Sequence, residues 1–197
     1  MATANDLHPA FQHNTYLFRR KVLKLFGGAF HVYDERGNLI FYSKQKAFKL
    51  RDDFRIYSDE KMRQELLTIK TPQIFDFGAT YNVQDSTTGA PVGSIKRKAI
   101  KSLFKDEWTF QSNEGQKIGT LTEKSIAGAL LSRFIKLIPQ SYIIFSYDGR
   151  VIAEIQQHFN PFVLKYSMKL LTHEPLIDRR LLISAGILLA GIERRQE

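Results

Sequence analysis

Apolar and polar residues alternate along most of the chain, in short runs separated by turn residues. Ala29-Phe30-His31-Val32-Tyr33 and Leu39-Ile40-Phe41-Tyr42 flank Asp34-Glu35-Arg36-Gly37-Asn38, with Gly37-Asn38 suited to the positive-φ positions of a tight hairpin turn. The same arrangement recurs three times. Tyr81–Gln84 and Val92–Lys96 flank a loop with Gly89 and Pro91; Glu107–Phe110 and Lys117–Leu121 flank Asn113-Glu114-Gly115; Ser141–Phe145 and Val151–Ile155 flank Asp148-Gly149. Tyr16–Phe18, Phe54–Tyr57, Leu66–Ile69 and Val163–Leu170 add further strands. Hairpins at this spacing predict an antiparallel sandwich or barrel rather than a parallel α/β sheet.

Two segments depart from period two. Ser125 is placed to N-cap a helix over Ile126 to Lys136, where Ile126, Ala129, Leu130 and Phe134 share one face. The other, about 177–193, has no polar face from Leu181 to Ile192. A helix apolar all round must be enclosed by protein or lipid. As a helix that run spans about 18 Å, against a bilayer core of about 30 Å, and Arg179-Arg180 and Glu193-Arg194-Arg195 bound it. Protein must therefore surround it. A mainly β fold follows: a closed antiparallel barrel with a hydrophobic C-terminal helix threaded through it, which also removes exposed sheet edges. Residues 1–14 read as a flexible lead, and 15–197 as a single barrel domain with its central helix at about 177–193.

Composition narrows the chemistry. The 197 residues contain no Cys, which excludes disulfides, cysteine nucleophiles and Cys-ligated metals and fits a reducing, cytoplasmic setting. No secretory h-region occurs in Met1 to Tyr16. Asp76-Phe77-Gly78 spells the kinase magnesium motif, but none of the accompanying kinase segments is present, so it reads as strand and turn. His8, His13, His31, His158 and His173 are scattered without metal-ligand spacing. Neither a phosphate-binding glycine loop nor a nucleophile elbow appears. The expectation is a non-enzymatic domain without metal or cofactor.

The net charge is +9, which favours acidic partners. Its densest expression is Lys96, Arg97, Lys98, Lys101 and Lys105, with no acid before Asp106; Lys44, Lys46, Lys49 and Arg51 form a second stretch. On a strand, Lys96 and Lys98 face one side and Arg97 the other. An outward pair joined by Lys101 suits a polyanionic head group. These five residues are the candidate ligand-binding set, with anionic phospholipid head groups or a protein partner as the expected ligands. No nucleic-acid-binding signature matches, and the aromatics alternate as core residues do, so nucleic acid is disfavoured. A solvated lysine face on a regulatory scaffold is the alternative.

Tyr42–Leu50, Phe77–Val83, Val92–Lys98 and the terminal Asp178-Arg179-Arg180 with its apolar helix, in that order, resemble the LURP-one-related proteins, over about residue 15 to the end. That family belongs with tubby C-terminal domains and phospholipid scramblases. The resemblance implies a tubby C-terminal-like fold, twelve strands around the helix. Tubby domains grip phosphoinositides with a Gly-Lys-Leu-Arg strand motif, to which Gly93-Ser94-Ile95-Lys96 is similar, with Ser94 replacing the first basic residue and Lys96 keeping the second. Scramblases carry an acidic calcium-binding segment. The similar stretch here, His158-Phe159-Asn160-Pro161-Phe162-Val163, has no carboxylate for a hard cation. The resemblance therefore implies a domain peripheral to a membrane without calcium-driven scrambling.

Overall fold

A computed structural model describes residues 7–21, 29–45, 53–71, 74–75, 78–98, 107–124, 139–160, 162–172 and 176–192. The strands are β1 (Thr15–Lys21), β2 (Ala29–Tyr33), β3 (Leu39–Gln45), β4 (Asp53–Tyr57), β5 (Glu65–Lys70), β6 (Ile74–Phe75), β7 (Gly78–Asp85), β8 (Pro91–Lys98), β9 (Glu107–Gln111), β10 (Lys117–Glu123), β11 (Ser141–Ser146), β12 (Val151–His158) and β13 (Val163–Leu170). One helix, α1, runs Arg179–Ile192. The predicted helix at 126–136 lies outside the described residues.

Neighbouring strands pair antiparallel from β5 through β1, β13 and β9 to β7, and β5 then pairs directly with β7 through Leu67↔Asp85 to Lys70↔Asn82. That last ladder closes a ring of twelve strands. The two-residue β6 pairs only with β7, beside the ring. The period-two pattern explains the inside of the ring. Tyr16, Phe18, Phe30, Val32, Phe41, Phe54, Phe110, Tyr142 and Tyr166 alternate inward and are buried.

Helix α1 occupies the lumen. Leu182, Ile183, Ile187 and Leu188 are each 0% exposed, and every residue from Arg179 to Gly191 is buried, as an apolar circumference requires. Two glycines permit the fit. A Cβ at Gly186 would collide with the Phe18 ring on β1. Gly93 on β8 has φ +143°, and a Cβ there would meet the Gln111 carbonyl and Leu181 of the helix. Gly37 alone, with φ +82°, takes the positive-φ position expected of Gly37-Asn38.

The two ends of the barrel differ. The hairpin turns after β2, β4, β7, β9 and β11 all fall where the helix begins, which we call the turn end. At the other end, the exit end, the helix finishes. The lead does not behave as a flexible segment over residues 7–14. Pro9–Phe11 form a 3-10 turn whose Ala10 and Phe11 are buried, with the Phe11 ring 4.9 Å from that of Phe41. The cause is apolar burial plus Arg179, which donates to the carbonyls of Phe11 and His13 and to Asn14 Oδ1.

Candidate functional site

The triplet before the helix is structural. Asp178 Oδ1 accepts from the Arg180 amide at 2.9 Å, capping α1. Arg180 bridges two carboxylates, donating to Asp178 Oδ2 and Asp85 Oδ2, each at 2.6 Å. Burial pushes the Asp85 carboxyl up, but donors from Thr87, Arg180 and the Thr88 amide outweigh it and hold it below its ordinary range. Next to this pair a cavity of about 530 Å³ opens between the lead and the turns, lined by Leu7, Phe11, Leu66, Val92, Asp85 and Arg180 among others. Asp85 and Arg180 are already paired with each other, so the cavity offers shape more than charge.

The other end of α1 is held by Arg20 of β1, whose Nη1 donates to the carbonyls of Ala190 at 3.3 Å and Gly191 at 3.0 Å. A guanidinium there satisfies helix-end acceptors and opposes the negative end of the macrodipole. Arg20 also lies 5.2 Å from the Phe30 ring centroid.

Of the predicted basic set, the two described side chains, Lys96 and Arg97, face opposite sides of the wall. Lys96 projects from the outer wall of β8 and is exposed. Arg97 pairs in register with Trp108, which is buried, and its guanidinium lies 5.3 Å from the indole centroid. It therefore belongs to the inner face and braces the wall, which removes it from the outward head-group set; alternation along a strand is the reason. Lys98 ends β8. Lys101 and Lys105 lie outside the described residues, as do Lys46, Lys49 and Arg51.

What brings the basic positions into relation is the topology. β8 runs from the turn end at Pro91 to the exit end at Lys98. The sequences that join strand ends at the exit end, 22–28, 46–52, 99–106 and 124–140, are each net positive, with 71–77 and 159–162 the exceptions. None of the connections at the turn end is net positive. Described acids there have internal partners: Asp34 accepts from the amides of Arg36 and Asn38, Glu114 from Ser112, and Asp148 from Ser146 and Arg150. Sequence reading found the basic clusters but not this polarity, which depends on strand direction around the whole ring.

Among the described residues no three His, Asp or Glu side chains gather as a metal site, and no helix is long and apolar enough to cross a membrane. His8 instead accepts from the Ala10 amide at the start of the 3-10 turn, and His31 lies 2.7 Å from Glu60. No curated protein matches the chain. The LURP-one-related profile matches residues 14–190, from the residue before β1 to within two residues of the end of α1, and on that span the chain belongs to the LURP-one-related family.

Proposed function

We propose that this protein is a non-enzymatic barrel that docks reversibly on anionic phospholipid with its exit end, through Lys96 and its sequence neighbours Lys98, Lys101 and Lys105. One observation carries the reading: most connections that join strands at the exit end are net positive in sequence, while the described acids Asp34, Asp85, Glu114 and Asp148 at the other end have donors within the barrel. A merely solubilising charge has no reason to segregate. Head groups of phosphatidylserine or phosphoinositides offer the complementary anions, and each basic residue near such a surface contributes about 1 kcal/mol.

Co-sedimentation with phosphatidylcholine vesicles, with and without phosphatidylserine or a phosphoinositide, tests this directly. Binding should require the anionic lipid and fade as salt rises. Reversing Lys96, Lys98 and Lys101 to Glu should weaken it about a hundredfold or more. A parent protein that ignores every anionic vesicle at low salt would overturn the proposal in favour of a protein-interaction scaffold.

A further inference from the structure

The turn between β12 and β13 holds its own aromatics out of the core. Phe159 and Phe162 are 62% and 65% exposed. Asn160 Oδ1 accepts from the amides of Phe162 and Val163, both at 2.9 Å, an Asx-type turn that fixes the backbone beneath them. Single exposed apolar residues are ordinary. Two phenylalanines on one braced turn at the exit end are a different matter, because of what lies next to them.

On the outer wall beside this turn, Lys165 of β13 stands directly opposite Arg19 of β1; its other neighbour, His158 of β12, has Nε2 2.9 Å from Ser167 Oγ. Like charges facing across an antiparallel pair destabilise it. Among the described residues no carboxylate lies within ion-pair distance of Arg19 or Lys165. The Arg19 guanidinium rests 5.7 Å from the Tyr33 ring centroid. Tyr147 makes the contrast: it is more exposed, at 72%, but it sits at the turn end next to the paired Asp148 and Arg150.

We infer that Phe159 and Phe162 insert into the interfacial region of an anionic bilayer while Arg19 and Lys165 contact its phosphates. Rings of this kind settle at the boundary between head groups and acyl chains, and cations beside them bind anionic lipid. The inference rests on the exit-end docking reading above and adds a second contact across the ring: β1 lies six strands from β8, so this turn and Lys96 meet one membrane together when the exit end faces it end-on.

The experiment uses the full chain and phosphatidylcholine vesicles containing a minority of phosphatidylserine. Phe159→Ala/Phe162→Ala should weaken binding on the order of tenfold to a hundredfold, with an unchanged melting temperature because both rings are exposed. Phe162→Trp should show an emission blue shift on these vesicles and quenching by brominated acyl chains. The one native tryptophan, Trp108, is buried and supplies a constant background. If the parent binds while the double alanine variant binds equally well and the emission of Phe162→Trp stays unshifted, insertion is refuted and docking by the Lys96 face survives. If the parent does not bind, both fall together.

Discussion

The turn end and the exit end of this barrel both use arginine to hold the central helix, yet they use charge for different purposes. At the turn end Arg180 is 9% exposed and sits between Asp178 and Asp85, while Arg179 ties down the 3-10 turn through carbonyls. Nearby acids have donors of their own. At the exit end Arg20 holds the helix terminus from one side, but Lys96 and the Arg19–Lys165 pair face outward. Charge that is satisfied internally builds the fold, whereas the Arg19–Lys165 opposition leaves two like charges facing each other on the outer wall.

That contrast breaks first, and hardest, at the guanidinium groups. Arg180→Met should destabilise the protein by about 3–5 kcal/mol, because it leaves buried Asp85 and half-buried Asp178 without their shared cation. Arg20→Met removes two hydrogen bonds to helix-end carbonyls and should cost only about 1–2 kcal/mol. Urea denaturation of both variants measures the gap. Equal losses would mean that the two ends are held alike.

Acid should act on the turn end. Side-chain and backbone donors from Asn38 hold Asp34 below its ordinary value of 3.8, donors from Ser146 and Arg150 do so for Asp148, and Asp85 is lowered despite its burial. A carboxyl with a lowered folded-state value contributes stability that is present above its unfolded value and is lost as pH falls through the folded one. The melting temperature should therefore hold down to about pH 4 and drop below it. Asp148→Asn should flatten part of that decline, and an identical acid profile in the variant would exclude Asp148 from it.

The smallest effect carries an unusual sign. Lys165→Glu would turn a repulsive pair with Arg19 into an attractive one, and should stabilise the barrel by roughly 0.2–1 kcal/mol. The same change should weaken binding to anionic vesicles. A stability gain accompanied by lost docking would show that this wall trades stability for an external partner. A variant no more stable than the parent would show that solvent already screens the pair.

Much of the fold was legible because inward and outward residues alternate. β2 at Ala29–Tyr33 and β13 at Val163–Leu170 occupy the predicted spans. Others run further toward the exit end than the pattern implies. β3 continues through Ser43, Lys44 and Gln45, and β12 through Gln156, Gln157 and His158. These polar residues erase the apolar rhythm while the neighbouring strand goes on pairing. The 3-10 turn at Pro9–Phe11 and the two-residue β6 are too short to show any period. For the candidate site, the opposite facing of Lys96 and Arg97 followed from strand geometry alone. The opposition of Arg19 and Lys165 did not, since those residues are distant in sequence and meet only through the β1–β13 register.

The segment that fills the barrel follows every described strand, and this orders events during synthesis. Arg20 grips carbonyls 170 and 171 residues downstream, so strands that emerge first must wait for a lumen filler that emerges after all of them. Until then the inward phenylalanines of β1, β2 and β4 have no helix to pack against. Long-range contacts of this kind slow folding and leave nascent chains prone to association. A ribosome-stalled chain ending before Arg179 should therefore be protease-sensitive throughout, with protection arriving in a single step once the helix clears the exit tunnel.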